Sequence, residues 1–302
     1  MTGTDPTGAD PTGTDPTGAD TPNRPVPFSL LLPVYEKDDP AHFARAFSSS
    51  VTAQTLPPDE VVLVQDGEIP APLHQAVTEA IASTTVPVVH VRIPDRGGLA
   101  DALTAGLAAC SFDVVARMDA DDVSLSSRFE RQLARVHEGF DLVGTGMLEF
   151  ADDTSAVLGR RTPPIGATAI AKYARFHDPF NHPTVMYRRA AVDRAGGYED
   201  IGLMEDYWLF ARMIHSGARV ENLPDALLMY RVGAGAYSRR GGRKQFEAEL
   251  NLQRALRSIG FTTRAQFLRN IAVRGIYRFV PVGIRTVLYR RLIARGFRND
   301  HS

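Results

Sequence analysis

Between residues 28 and 137, four short apolar runs alternate with four amphipathic stretches, and that alternation leaves few folds open. The runs are FSLLLPVY from Phe28, EVVLVQDG from Glu60, VPVVHVRI from Val86 and DVVARMDADD from Asp113. Their continuous apolar character marks buried strands rather than half-exposed ones. The stretches between them repeat at helical spacing: Phe43, Phe47 and Val51 in the first, Leu99, Leu103 and Leu107 in the third. LHQAVTEAIAS and SLSSRFERQLARVHEG supply the second and fourth helices. Strand–helix–strand units of this kind predict an α/β fold with a parallel sheet covered on both faces.

In such a sheet, ligands bind beyond the carboxyl ends of the strands. Four polar clusters fall at those ends: Pro33-Val34-Tyr35, Gln65-Asp66-Gly67, Asp95-Arg96-Gly97-Gly98 and Asp119-Ala120-Asp121-Asp122. They are expected to converge on one crevice. No G-x-G-x-x-G follows the first run, where the chain reads PVYEKDD, and no Walker-type G-x-x-x-x-G-K-[ST] occurs. The backbone cradle that usually takes up phosphate charge is therefore missing. Clustered aspartates supply another solution, since their hard oxygens bind Mn2+ or Mg2+, and the ion then neutralises a diphosphate. The competing reading is that Asp121 and Asp122, with Ser124 and Ser126, cap the following helix. Capping needs one aspartate and leaves Asp119 unexplained, so metal binding is favoured.

The ordered set LLLPVYEKDD, EVVLVQDG, GGLADALTAGL, RMDADDVSLSSRFERQ, HPTVMYRRAAVDRAGGY, MEDYWLFARM and LLMYRV is similar to family 2 glycosyltransferases of the GT-A fold. It resembles most the branch that builds bacterial exopolysaccharide, capsule and O-antigen chains. The resemblance covers about residues 26–235. It implies a Rossmann-like, mostly parallel sheet flanked by helices, and an inverting transferase. The donor would be a nucleotide-diphosphate sugar, and the acceptor a saccharide, free or carried on a polyprenyl diphosphate.

Residue by residue, the resemblance places Pro33 and Tyr35 at the nucleotide base, although strand termination and gap filling explain them equally well. Asp66 matches the family's base-contacting aspartate, whereas Gln65 departs from its Asp-Asp pattern. Asp95 and Thr104 stand where the family usually carries asparagines. Arg96 is assigned to the donor phosphate, with a solvated side chain as the alternative. Asp121 and Asp119 are the metal ligands, Asp119 also contacting the donor, while Arg128 and Gln132 hold the loop. In GGYEDIGLMEDYW, Asp206 is the catalytic base and Glu205 its neighbour; an aspartate opening a helix stays ionised in the helix dipole. Trp208 would stack on the acceptor sugar or pack in the core, and His182 would approach the sugars or serve as a loop residue. Arg231 and Arg239 flank Gly-Ala-Gly, a hinge suited to a loop that closes over the diphosphate, and are assigned to the donor.

The ends differ from this middle. Residues 1–24 repeat T-G-x-D-P with no large apolar side chain, which cannot offset the entropy of ordering and predicts a disordered tail. Residues 25–238 form the transferase domain. Residues 239–302 carry fifteen Arg or Lys against three acids and predict a basic amphipathic helical extension. That extension would lie on an anionic membrane surface, with a helical lid on the domain as the second reading and nucleic-acid binding last. A formal net charge of −1, the single Cys110 and the lack of a leader or an apolar span predict a cytoplasmic protein, peripheral on the inner face of the plasma membrane, with no nucleic-acid partner. Two other classes fit the acidic cluster: a metal-dependent nucleotidyltransferase, and a non-catalytic subunit that binds a nucleotide sugar.

Overall fold

The first apolar run becomes strand β1 (Phe28–Tyr35), buried along all but its last residue because it lies in the middle of a sheet. A computed structural model of the chain describes residues 26–232 and 243–279. The T-G-x-D-P repeats, Arg239, the Gly-Ala-Gly hinge and residues 280–302 of the basic end lie outside the described residues. After β1 come α1 (Pro40–Val51), β2 (Glu60–Asp66), α2 (Ala71–Ala82), β3 (Val88–Ile93), α3 (Leu99–Ala109) and β4 (Val114–Arg117). Strands β3, β2, β1 and β4 lie side by side in that order, all parallel. The chain thus runs outward from β1 to β3 and then crosses back through α3 to the other side of β1. That reversal opens a crevice at the carboxyl ends of β1 and β4.

The second half widens the sheet. It contributes β5 (Val123–Ser124), α4 (Arg128–His137), β6 (Leu142–Phe150), β7 (Val157–Arg161), α5 (Ala167–Tyr173), a 3-10 turn (His182–Thr184), β8 (Met186–Arg188), α6 (Arg189–Arg194), α7 (Glu205–His215) and β9 (Val220–Arg231). The full order among the described residues is β3-β2-β1-β4-β8-β6-β9-β5, with β7 pairing β6 from outside that path. β8 runs antiparallel between β4 and β6, and the long β6–β9 ladder is parallel. Most paired residues are in parallel register.

Alternation along β1 sends Leu30, Leu32 and Val34 to one core and Leu31 to the other. Phe43, Phe47, Val77, Phe129 and Leu133, from α1, α2 and α4, cover the first face. Leu103, Val192, Leu209 and Phe210, from α3, α6 and α7, cover the second. The expected two-sided cover fails at β3, whose residues are only partly buried and whose Val89 is 38% exposed. As the edge strand it has one neighbour, so its apolar run is less protected than its sequence suggests.

Two further helices, α8 (Arg243–Ser258) and α9 (Arg264–Phe279), belong to the basic end. Leu252, Leu256 and Phe261 pack with Tyr207, Trp208 and Ala211 of α7 in a third cluster. The described part of the basic end therefore rests on the sheet-bearing body. Its α9 leaves Leu268 and Val273 exposed. No helix among the described residues is long and apolar enough to cross a membrane.

Close approach of α3 to the sheet depends on Gly106. A Cβ there would lie 2.2 Å from Cδ1 of Leu31 and 2.8 Å from Cγ2 of Val64, both fully buried. Gly106→Val is expected to lower folding stability by about 1–3 kcal/mol through overpacking, despite the better helix propensity of any side chain. An unchanged urea midpoint would show that α3 is free to move away.

Candidate active site

The strand ends do meet. A cleft of about 360 Å³ opens at the carboxyl edge of the sheet, lined by Pro33 and Tyr35 from β1, Asp66 from β2, Arg96 and Leu99 around the start of α3, Asp119 and Asp121 after β4, and Tyr230 from β9. Arg96 lies 4.9 Å over the Tyr35 ring and pairs with Glu36 at 2.9 Å. Both charged side chains are half exposed, which places Arg96 at the rim. Asp66 is buried, and its two oxygens accept from the N–H groups of Gly97 (2.8 Å) and Gly98 (3.0 Å). This carboxylate shapes the loop that walls the cleft, with Gly98 at φ +95° making the turn possible. Gln65, where the family pattern fails, donates to the Gly67 carbonyl instead.

Strand β4 stops at Arg117, and the next residues turn their carboxylates together. Oxygens of Asp119, Asp121 and Asp122 all lie within 4.8 Å of one another. Burial, then the neighbouring Asp119 charge, pushes Asp121 up to about 6. Fully buried Asp122 is raised well above the carboxylate range for the same two reasons, with Asp121 adding to the repulsion. The competing reading, helix capping, fails. Helix α4 starts only at Arg128, beyond β5, and its cap Ser127 makes no side-chain bond. Asp122 instead accepts from the Arg231 N–H at 2.8 Å, while its other oxygen, Oδ2, is buried with no partner among the described residues. Three repelling carboxylates, one with an unsatisfied oxygen, are a donor set suited to a hard divalent cation.

Two arginines hold this loop from behind. Buried Arg128 donates to the Arg117 carbonyl (2.6 Å), Ser124 (3.0 Å) and Gln132 (3.1 Å), and burial pushes it down to about 9. Gln132 in turn donates to the carbonyls of Val143 and Thr184. Arg231 does not reach for the donor as expected. Its guanidinium is buried over Phe150 and donates to the carbonyls of Asp121 (2.9 Å) and Ala151 (2.7 Å), so its hydrogen bonds serve the acidic loop. Sequence reasoning also missed Asp38. In EKDD, Asp39 caps α1 through Ala41 and His42, whereas Asp38 turns into the cleft. It accepts from Tyr35 N–H at 2.9 Å, and burial with the charges of Asp121 and Asp119 raises it to about 7. Nothing in two adjacent aspartates says which one turns inward.

Opposite charge is supplied by Arg117, which is fully buried and pairs through Nη2 with Asp119 at 2.5 Å. Burial raises Glu205 and Asp206 at the start of α7, and the Arg117 field opposes that rise. Asp206 is 27% exposed, accepts from the Tyr207 N–H at 2.7 Å, and lies 3.8 Å from Nδ1 of His182. Burial raises Asp206, while the Tyr207 N–H and Arg117 oppose that rise. His182 is buried, its Nε2 hydrogen-bonded to the Tyr198 hydroxyl at 2.9 Å, and burial plus Arg117 keeps it neutral. It is neither open to a sugar, as expected for the acceptor, nor a loop residue satisfied by backbone. Trp208 requires a plain correction. Its ring is 6% exposed, packs with Leu252 and Leu256, lies under Arg212 at 4.8 Å and donates to Glu199 at 2.8 Å. No face is left for a sugar, because this side of α7 receives α8. A second missed residue is Asp178, which burial and then the Asp206 charge raise well above the carboxylate range. It lies 28 positions away in the sequence, so only the fold reveals this influence.

Comparisons with known proteins bear on the fold and the family of this chain. A 35% identical relative over 269 residues, 87% of this chain and 98% of its own length, is the amylovoran biosynthesis glycosyltransferase AmsE of Erwinia amylovora. Another, 29% identical over 272 residues and covering 89% and 97%, is the UDP-Gal:alpha-D-GlcNAc-diphosphoundecaprenol beta-1,3-galactosyltransferase of Escherichia coli. Among solved structures, the mannosyltransferase PcManGT of Pyrobaculum calidifontis, in complex with GDP-Man and Mn2+, superposes with a TM-score of 0.60. It is 18% identical, over 82% of this chain and 68% of that one. The profile of glycosyl transferase family 2 matches residues 29–196, from the first strand through the acidic loop to the end of α6. With the profile and the relatives in agreement, the chain belongs to glycosyl transferase family 2.

Proposed function

We propose that this glycosyltransferase moves a sugar from a nucleotide-diphosphate donor to a hydroxyl of a lipid-linked saccharide, with inversion, using Asp206 as base and a divalent cation at Asp119 and Asp121. The observation that carries this reading is the position of one buried cation, Arg117, whose field acts on both the acidic loop and Asp206. Tyr35, Pro33 and the Asp66-held loop wall the side of the cleft suited to a nucleotide, and Arg96 stands at its rim. Asp119 and Asp121 would hold Mn2+ or Mg2+, which, when bound, screens the charge of the departing diphosphate. Asp206 accepts the proton of the attacking hydroxyl as the new bond to the anomeric carbon forms. The old anomeric carbon–oxygen bond breaks, and the nucleoside diphosphate leaves with its electron pair. The metal in PcManGT and the diphosphoundecaprenol acceptor in the E. coli relative support both parts by analogy.

The anionic membrane surface is part of this reading, because a polyprenyl-linked acceptor is presented there. On α9, exposed Leu268 and Val273 stand among exposed Arg264 and Arg269. Each such cation contributes about 1 kcal/mol near anionic lipid. Leu268→Glu with Val273→Glu is expected to weaken sedimentation with phosphatidylglycerol vesicles while transfer to a short, water-soluble acceptor persists. Equal binding by the double variant would remove α9 from the interface.

Two measurements test the chemistry. Asp206→Asn should cut turnover by about 10²–10⁴-fold yet leave donor-induced thermal stabilisation intact, as expected of a general base. Near-normal transfer by that variant would sink the assignment. Stabilisation by a UDP-, dTDP- or GDP-sugar should need Mn2+ or Mg2+, and should be lost on chelation and in Asp121→Ala. The product should be nucleoside diphosphate; pyrophosphate would mean nucleotidyl transfer, and binding without turnover would mean a non-catalytic subunit.

A further inference from the structure

Two motifs that do not line the cleft, Asn181-His182-Pro183 and Gly196-Gly197-Tyr198, meet beside Asp206. The His182 ring joins them. Its Nε2 lies 2.9 Å from the Tyr198 hydroxyl, and its Nδ1 faces Oδ2 of Asp206 at 3.8 Å. The ring is buried and sits edge-on to Phe210 of α7, with 5.8 Å between centroids. Its backbone turn is tied to the sheet. The Thr184 hydroxyl donates back to the Asn181 carbonyl at 2.8 Å, and Asn181 donates to the Thr145 carbonyl at 2.9 Å. Gln132 donates to the Thr184 carbonyl at 2.8 Å. Tyr198 is fixed separately. Gly196 and Gly197 turn the chain at φ +90° and +73°, a conformation that other residues rarely adopt. Arg212 of α7 then donates to the carbonyls of Ala195 (2.7 Å) and Gly197 (2.6 Å).

Both ends of the ring select the same tautomer. Burial keeps the Tyr198 phenol protonated, and a bare imidazole nitrogen is a good acceptor for its O–H. A bare Nδ1 would instead set its lone pair against a carboxylate oxygen, so the proton belongs on Nδ1. We infer that His182 is a positioning residue for the base: Tyr198 holds it as the Nδ1–H tautomer, and that N–H orients the Asp206 carboxylate. This deepens the proposed function and rests on Asp206 being the base. At 3.8 Å the contact is electrostatic and longer than a hydrogen bond. The other oxygen of Asp206, Oδ1, accepts from the Tyr207 N–H at 2.7 Å. Each carboxylate oxygen has two lone pairs, so capacity remains to receive the acceptor's proton. That proton passes from the acceptor hydroxyl to Asp206 alone. His182 does not take it, because Tyr198 occupies Nε2 and Nδ1 is already protonated.

Nitrogen NMR of the full chain with labelled histidine reads the tautomer directly. The His182 resonances, identified by their loss in His182→Asn, should show a protonated Nδ1 and a bare Nε2 at neutral pH. The reverse tautomer, or two protonated nitrogens, would overturn the inference. Turnover reads the consequence, as nucleoside diphosphate released from whichever UDP-, dTDP- or GDP-sugar stabilises the protein. The assay contains Mn2+ and a short-chain diphosphate-linked GlcNAc, the acceptor type of the E. coli relative. His182→Phe keeps a ring but removes the donor. It should lower kcat by about 10–100-fold through a misdirected base, with donor-induced thermal stabilisation unchanged. His182→Asn should recover most of that loss, since its amide N–H falls near the place of Nδ1. A packing role predicts the opposite order, because Phe fills the space better than Asn. Tyr198→Phe should lower kcat less and let the second tautomer appear in the nitrogen spectrum. Wild-type turnover by His182→Phe, or an Asn variant slower than the Phe variant, would also overturn the inference. Should His182→Phe not fold, the wild-type spectrum decides, and an unchanged spectrum in Tyr198→Phe counts against the inference. If Asp206→Asn is inactive while His182→Phe matches wild type, this inference fails alone; if Asp206→Asn is active, the base assignment fails first.

Discussion

A single buried guanidinium organises the chemistry of this fold. Arg117 is the last residue of β4, and its side chain has almost no contact with solvent. Removing such a charge from water is costly unless acids surround it. Here Asp119 pairs with it directly, while Asp121, Asp122, Glu205 and Asp206 feel its field. Its Nε and Nη1 have no hydrogen-bond partner among the described residues. The arrangement is therefore electrostatic compensation more than a saturated network. It lets carboxylates crowd at a strand tip that would otherwise repel them, and it couples the acidic loop to the start of α7.

Around that centre, much of the machinery is support. Arg128, Arg231 and Gln132 spend their hydrogen bonds on backbone carbonyls and side chains of the acidic loop and its neighbours. Asp66 does the same for the loop before α3. Charged side chains of this kind look like ligand contacts when read in a line of text. In the folded chain they place the groups that face the cleft. An acidic site without rigid backing would collapse or drift by the fraction of an ångström that transfer chemistry does not tolerate.

The basic end gains a second meaning from the same logic. The described part of it covers Trp208 and Tyr207, and α9 grips the segment around Phe176. A lid on the domain and a surface for membrane lipid are compatible, because Leu252 and Leu256 face inward while Leu268 and Val273 face out. The arginines on such a helix divide between the two tasks. Arg274 turns to Glu249 and the Phe176 carbonyl, and Arg264 stays in solvent.

Periodicity and composition determined the local layer of this protein: the order of strands and helices through β4, the strand tips on which polar residues gather, and the acidic loop as a metal-binding candidate. These are short-range properties, set by side-chain pattern within a few residues, and the ordered motifs extended them to a family. Tertiary structure alone decided which charged groups face the cleft and which brace it. Asp38 turns in while Asp39 caps a helix; Arg231 is consumed by carbonyls 80 and 110 positions away; Trp208 is covered by α8. Each of those outcomes depends on a partner distant in sequence, and burial, which sets both hydrogen bonding and ionisation, exists only once the chain has closed around it.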